Sequence, residues 1–252
     1  VKFEVFTRRT QLNQGKYGLE STEGSNNSSV WFHFITLQNT IICMKRIFFA
    51  RHGESQGNKD GLICGKLDTP LTQRGEKQAS LLGKSLVGLE IEMIISSDLQ
   101  RAKKTAQIIA EEIDVDIQLD ERLRERSCGK FDGMVQKEIE DDEDWNRFLR
   151  TPNYAVKEGE SLVQLYDRIG SFVEELVREK EFNNILLTAH GGVLWVMIPY
   201  ILGIPIEKYS GKIGMDNCGL SVFTWDDGFV LERMNCISHL GECENRKPSW
   251  KF

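Results

Sequence analysis

Ile47-Phe48-Phe49-Ala50-Arg51-His52-Gly53-Glu54-Ser55 is the stretch whose reading decides the fold. A short β-branched and aromatic run that stops at a charged, glycine-containing turn predicts a buried strand delivering its last residues to a loop. Such loops, at the carboxyl ends of strands, are where α/β proteins place their chemistry. Arg51 and His52 form a useful pair there. A guanidinium holds an anionic oxygen in a fixed fork, while a neutral imidazole attacks the centre that carries it.

A lone Arg-His-Gly is a weak signal, because a histidine at a strand end is more often a capping or core residue. Here the pattern occurs twice: Ile185-Leu186-Leu187-Thr188-Ala189 runs into His190-Gly191-Gly192, in a chain with only 4 histidines. A third apolar run, Met93-Ile94-Ile95, ends at Ser96-Ser97-Asp98, and beyond it Ala102, Ala106, Ile109 and Ala110 recur at helical spacing. Ser97 or Asp98 is the expected cap of that helix, which puts Arg101 in its first turn. The macrodipole disfavours a cation there, so Arg101, just beyond a third strand end, reads as an anion-binding residue.

Outward from these runs, strands are predicted at 46–50, 93–96, 116–119 and 184–189, and helices at about 73–88, 98–113, 134–150, 161–180 and 192–202. A linker is expected at 151–159. Strands at 219–225 and 229–235 turn around Asp226-Asp227-Gly228 as a hairpin, with Asn217-Cys218-Gly219 before it as a turn or a polar contact to the site. The alternation implies an α/β fold: a three-layer sandwich with a mainly parallel central sheet flanked by helices. With 252 residues, 40% hydrophobic and 28% charged, the chain has room for one such core.

Composition narrows the function classes. A net charge of -6 argues against a general nucleic-acid surface. The 6 cysteines include no pair at two-residue spacing, which suggests a reducing cytoplasm. Cys236, His239 and Cys243 are the nearest approach to a metal set, but they lack a fourth ligand, so no metal site is predicted. Residues 1–43 carry polar low-complexity sequence around Ser21 to Ser29 and the apolar run Val30 to Ile35, too short to span a bilayer. They are expected to be a disordered or artefactual extension before a domain at 44–240, with a tail at 241–252. Gly53-Glu54-Ser55-Gln56-Gly57 fits the nucleophile elbow of serine hydrolases, but the turn-like Asn58 to Gly61 and the short preceding chain disfavour that reading.

Several further motifs stand in order around these: Asn58, Leu71-Thr72-Gln73-Arg74-Gly75, Ser96 to Ala106, Leu123-Arg124-Glu125 with Gly129 and Gly133, Gly159-Glu160-Ser161, and Ala189-His190-Gly191-Gly192. From about Met44 to about Met234, the set resembles the histidine phosphatase superfamily, within it the phosphoglycerate mutase-like branch that includes small-molecule phosphatases. The resemblance implies that His52 is the nucleophile and becomes a phosphohistidine, and that Arg51, Arg101 and His190 form the phosphate pocket. It further implies that Asn58, Cys64, Gly65 and Gly191 contact the substrate and that Glu125 is the proton donor and acceptor. The implied partner is a small-molecule phosphate ester, with no metal or other cofactor. One departure is Phe131-Asp132, where the family often has an aromatic residue and a Glu.

The chemistry agrees with these roles. A phosphoryl group in transfer spreads charge over three oxygens, so catalysis is largely positioning and electrostatic stabilisation, which two guanidinium groups and a second histidine supply. His52 has to attack as neutral imidazole, with its other nitrogen donating to a carbonyl. Mutases of this branch carry a longer insert before the Gly-Glu-Ser motif. Here only 134–158, expected to be a helical cap, lies between, and a short cap lets water reach a phosphohistidine. A phosphatase is therefore expected, with a mutase as the alternative and a non-catalytic phospholigand-binding protein as a more distant one.

Overall fold

Lys45–Arg51 forms β1 at the centre of a sheet, because its run Ile47-Phe48-Phe49-Ala50 is apolar on both faces and is buried on both. The computed structural model describes residues 45–179, 181–209, 214–225 and 228–243. The chain divides into two units, Val1–Ile41 and Ile42–Phe252, and every described residue belongs to the second. The expected extension at 1–43, Asp226 and Asp227 of the expected hairpin turn, and most of the tail lie outside the described residues.

The elements follow in chain order: α1 (Gln56–Asp60), α2 (Gln73–Leu86), β2 (Met93–Ser96), α3 (Gln100–Ile113), β3 (Ile117–Leu119), α4 (Glu143–Arg150), α5 (Leu162–Glu179), β4 (Asn184–Ala189), α6 (Gly191–Ile201), β5 (Leu220–Trp225) and β6 (Phe229–Cys236). The six-stranded sheet has the order β3-β2-β4-β1-β5-β6. Its first four strands are parallel, and β5 and β6 add an antiparallel edge. This is the expected mixed, mainly parallel sheet. Among the described residues no helix is long and apolar enough to cross a membrane.

Side chains alternate across the sheet and divide the core into two layers. Phe49 and Leu187 face one side, where they pack with Leu165, Ile169 and Phe172 of α5 and Met197 of α6. Phe48, Ala50 and Leu186 face the other, with Leu82 of α2 and Ala106 and Ile109 of α3. Complete burial of such a side chain contributes about 1.5–3 kcal/mol, so the two layers fix the strand ends that carry the loops. A third, smaller cluster of Phe131, Ile139, Trp145, Phe148 and Val156 forms a cap of its own.

Three local expectations need correction. The predicted helix at 134–150 is helical only as a single turn at Gln136–Glu138 and as α4. Val135 pairs with Leu62 in an antiparallel bridge, only a single helical turn and a bend follow it, and α4 starts where Asp142 caps it. The turn-like Asn58 to Gly61 belongs to α1 and its cap, which Ser55 and Asn58 start as a reciprocal capping box. The N-cap of α3 is Leu99, without a side-chain bond of its own. Ser97 Oγ accepts from the Leu99 N–H, and Asp68 from a preceding loop accepts from the Gln100 N–H at 2.8 Å.

Candidate active site

β1, β2 and β4 are neighbours in one parallel register, Ser96 opposite Thr188 and Arg51 opposite Ala189. Their following residues therefore emerge side by side. His52 and His190 sit with ring centroids 5.1 Å apart, both buried. The Ser55 hydroxyl, the nucleophile of the alternative elbow reading, is fully buried and accepts from the Asn58 N–H as a helix cap.

His52 Nδ1 donates to the Gly53 carbonyl at 2.7 Å, which leaves Nε2 with its lone pair. Burial, reinforced by the positive charges of Arg101 and Arg51, holds this imidazole well below its ordinary pKa. The loop is rigid because Gly53 permits close backbone approach: a Cβ there would lie 2.4 Å from the Gly75 carbonyl oxygen. Thr105 of α3 accepts from the Gly53 N–H at 3.0 Å and donates to the Arg101 carbonyl at 2.8 Å, linking the two loops.

Arg101 is 1% exposed. Its two terminal nitrogens donate to the carbonyls of Leu67 and Gly65, both at 2.8 Å, which places the Cys64-Gly65 turn beside it. Arg51 Nη1 donates to the Met215 carbonyl. Burial lowers the pKa of both guanidinium groups, and the Glu125 carboxylate is the first charge that opposes this. His190 is paired through Nε2 with Ser97 Oγ at 2.9 Å, and burial and the Arg101 charge keep it neutral. Among the buried side-chain polar atoms without a partner are Arg51 Nε, Arg101 Nε and His190 Nδ1. Donors are rarely left so.

Glu125 reaches the same place from the loop after β3. Its carboxylate accepts from the backbone N–H of Arg126 at 2.8 Å and of Gly192 at 3.2 Å. Gly191 and Gly192 open α6, whose first turn points at the site, and a Cβ at Gly191 would lie 3.8 Å from Arg51 Nε. Anions favour such a helix start. Asn58 Oδ1 accepts from Asn217 Nδ2, which also donates to the His52 carbonyl. Asp132 accepts from the Lys66 and Cys128 N–H groups and so joins the acid loop to the Cys64-Gly65 turn. Cys64 lies within range of the Arg101 charge, although burial raises its thiol pKa overall.

All nine expected site residues thus converge, and sequence reasoning missed Gly192 and treated Ser97 only as a cap. Cys236 and His239 form no part of the site. His239 Nε2 donates to the Cys218 carbonyl, Cys236 Sγ pairs with Ser238 Oγ, and the Cys243 side chain lies outside the described residues.

The sequence profile of the histidine phosphatase superfamily (branch 1) matches residues 47–237. The chain belongs to that superfamily. A protein of Salmonella choleraesuis named as a probable phosphoglycerate mutase is 34% identical over 206 residues, covering 78% of this chain and 95% of that one. The solved mycobacterial glucosyl-3-phosphoglycerate phosphatase, in complex with VO3, has a TM-score of 0.69 at 28% identity, covering 76% of this chain and 99% of its own. A phosphoserine phosphatase of Entamoeba histolytica, solved as a histidine-to-alanine mutant in complex with phosphoserine, has a TM-score of 0.69 at 27% identity, covering 78% and 99%. As a histidine phosphatase the chain is an enzyme of phosphate-ester chemistry, and the phosphatase expectation holds.

Proposed function

We propose that the protein hydrolyses small alkyl phosphate monoesters in the cytoplasm, with His52 as the phosphorylated intermediate. The observation that carries this reading is the set of unpartnered buried nitrogens, Arg51 Nε, Arg101 Nε and His190 Nδ1, the last a donor in the tautomer whose Nε2 accepts from the Ser97 hydroxyl, beside the free Nε2 of His52. The donors complement a phosphoryl dianion, and His52 Nε2 is the nucleophile aimed at its phosphorus. Nε2 attacks, the phosphorus–oxygen ester bond breaks, and Glu125 gives its proton to the leaving alkoxide. Water then attacks the phosphohistidine, Glu125 takes a proton back, and inorganic phosphate leaves. Arg51, Arg101 and His190 bear the phosphoryl charge throughout. Asn58, Cys64, Gly65 and Gly191 line the approach.

The relatives support an alkyl leaving group, since those described above are named for phosphoglycerate, its glucosyl derivative or phosphoserine. Hydrolysis is favoured over return transfer because the cap is small, with α4 its one α-helix. Thiols outside any disulfide at Cys64, Cys128 and Cys236 support a reducing compartment.

The test is a rapid quench with labelled substrate taken from a panel of phosphorylated metabolites. An acid-labile phosphoenzyme should form in the wild type and vanish in His52→Ala, with inorganic phosphate as the product after EDTA treatment. A label that persists in His52→Ala would refute the assignment. Transfer of the label to an added sugar acid instead of water would make the enzyme a mutase.

A further inference from the structure

Glu125 sits on a loop, yet its carboxyl has to be held to a fraction of an ångström to deliver a proton. The arginine side chains that precede it do not do this work. Arg122 faces away, pairing with Asp120 and Glu175, and Arg124 pairs with Asp98. The backbone of the loop is gripped from α5. Arg168 Nη1 donates to the carbonyl of Arg122 and, at 3.0 Å, to that of Arg124, the residue immediately before Glu125. The rest of its guanidinium forms a two-pronged fork on Glu160, Nε to Oε1 at 2.8 Å and Nη2 to Oε2 at 2.7 Å.

Glu160 completes the grip from the other side. Its N–H donates to the Ser127 carbonyl at 2.9 Å, and its own carbonyl accepts from Arg126 Nε at 2.8 Å. Both residues before and after the acid are therefore tied to one ion pair. Ser161 fixes where that pair stands, because it and Gln164 start α5 as a reciprocal cap. The pair is half-sheltered, with side chains 21% and 16% exposed, and the planar fork gives it a direction that a lysine cannot reproduce.

We propose that Arg168, held by Glu160, is the positioning residue for the proton donor, setting the Glu125 carboxyl at the leaving-group oxygen without touching substrate. The inference rests on Glu125 being that donor. Its consequence is specific: loss of the grip weakens protonation of the leaving group and spares attack by His52. A residue that only held up the strand ends carrying His52, Arg51, Arg101 and His190 would slow all esters alike.

The experiment compares pre-steady-state phosphorylation by an alkyl phosphate from the metabolite panel with that by p-nitrophenyl phosphate, whose leaving group needs little protonation. Arg168→Met, Arg168→Lys and Glu160→Gln are measured alone and combined with Glu125→Gln. Arg168→Lys keeps the charge, which also reaches His190, and Glu160→Gln keeps the shape, so a poorly folding Arg168→Met leaves the test intact. The expected result is a roughly 10- to 100-fold fall in kcat on the alkyl ester, with KM unchanged and the aryl ester little affected. In the Glu125→Gln background the same changes should cost almost nothing further. Equal losses on both esters, or losses that multiply with Glu125→Gln, would overturn the inference alone. A Glu125→Gln variant that itself shows no leaving-group dependence would bring down the proton-donor reading and the inference with it.

Discussion

Burial of His190, reinforced by the positive charge of Arg101, disfavours a proton on its ring. Its folded pKa, like that of His52, lies well below the ordinary value of 6.5. The sign of the pH dependence follows. Above the unfolded value both states carry neutral histidine. Below it the unfolded chain binds a proton that the folded protein refuses, so stability falls as pH drops towards the folded pKa, by up to about 1.4 kcal/mol per pH unit for each histidine. In phosphate-free buffer the urea midpoint should therefore decline from about pH 7.5 to about pH 5. Carboxylates add to that slope, so the decisive comparison is His190→Gln. Its destabilisation at the higher pH should shrink at the lower one, because the variant has no imidazole to penalise. A gap that stays constant across the range would mean that His190 is not held neutral by the fold.

The start of α6 is the element that brings the acid and the phosphate pocket together. Gly192 donates its N–H to Glu125, and a Cβ at Gly192 would lie 2.3 Å from Glu125 Oε1. Gly192→Ala should leave the fold intact, since alanine suits a helix better than glycine and the carboxyl is the movable end of a side chain. The carboxyl should swing away, slowing alkyl esters about tenfold or more while p-nitrophenyl phosphate is nearly spared. Arg101→Ala, which removes a contact to the transferring group itself, should slow both by similar factors. The reverse pattern in burst kinetics would separate Glu125 from this helix. Legibility in the sequence divides along the same line. The strands were readable because β1, β2 and β4 are apolar runs ended by polar turns, and a repeated His-Gly after two of them marks a shared edge. Helix α3 is legible from its apolar spacing but its cap is not, because the Gln100 N–H is served by Asp68, 32 residues earlier. Neither the Ser97 bond to His190 nor the Gly192 bond to Glu125 leaves a local pattern, since the partners are distant in sequence and meet only through the parallel pairing of β2 with β4 and, for Glu125, of β3 with β2. The overlong helix at 134–150 had the right composition and was stopped by a bridge to Leu62 that periodicity does not reveal.

At the scale of the molecule, the two histidines stand on the sheet and the acid loop leans on the cap. Trp145 packs edge-on against Phe131 at 5.2 Å and beside Phe148 at 5.7 Å, in a cluster separate from the two main layers. Arg126 joins cap to acid loop, lying 3.5 Å over the Phe148 ring and donating to its carbonyl, with burial lowering its pKa to about 10. A small cluster bonded mostly to itself opens more easily than the core beneath it. Native-state hydrogen exchange should show residues 143–150 exchanging well before the amides of β1 and β4. A Trp→Ala change in a main core costs about 3–5 kcal/mol, but a cap that opens on its own can lose no more than its own stability. Trp145→Ala should thus lower the global urea stability by much less than Phe49→Ala, while exchange in the cap rises to match the open form. Activity should divide in the same way. With the cap open and Arg126 unmoored, alkyl esters should suffer more than p-nitrophenyl phosphate, because His52, Arg51, Arg101 and His190 keep their places on the strand ends. If Trp145→Ala destabilises the whole protein as much as Phe49→Ala, cap and sheet are one cooperative unit and the separation fails.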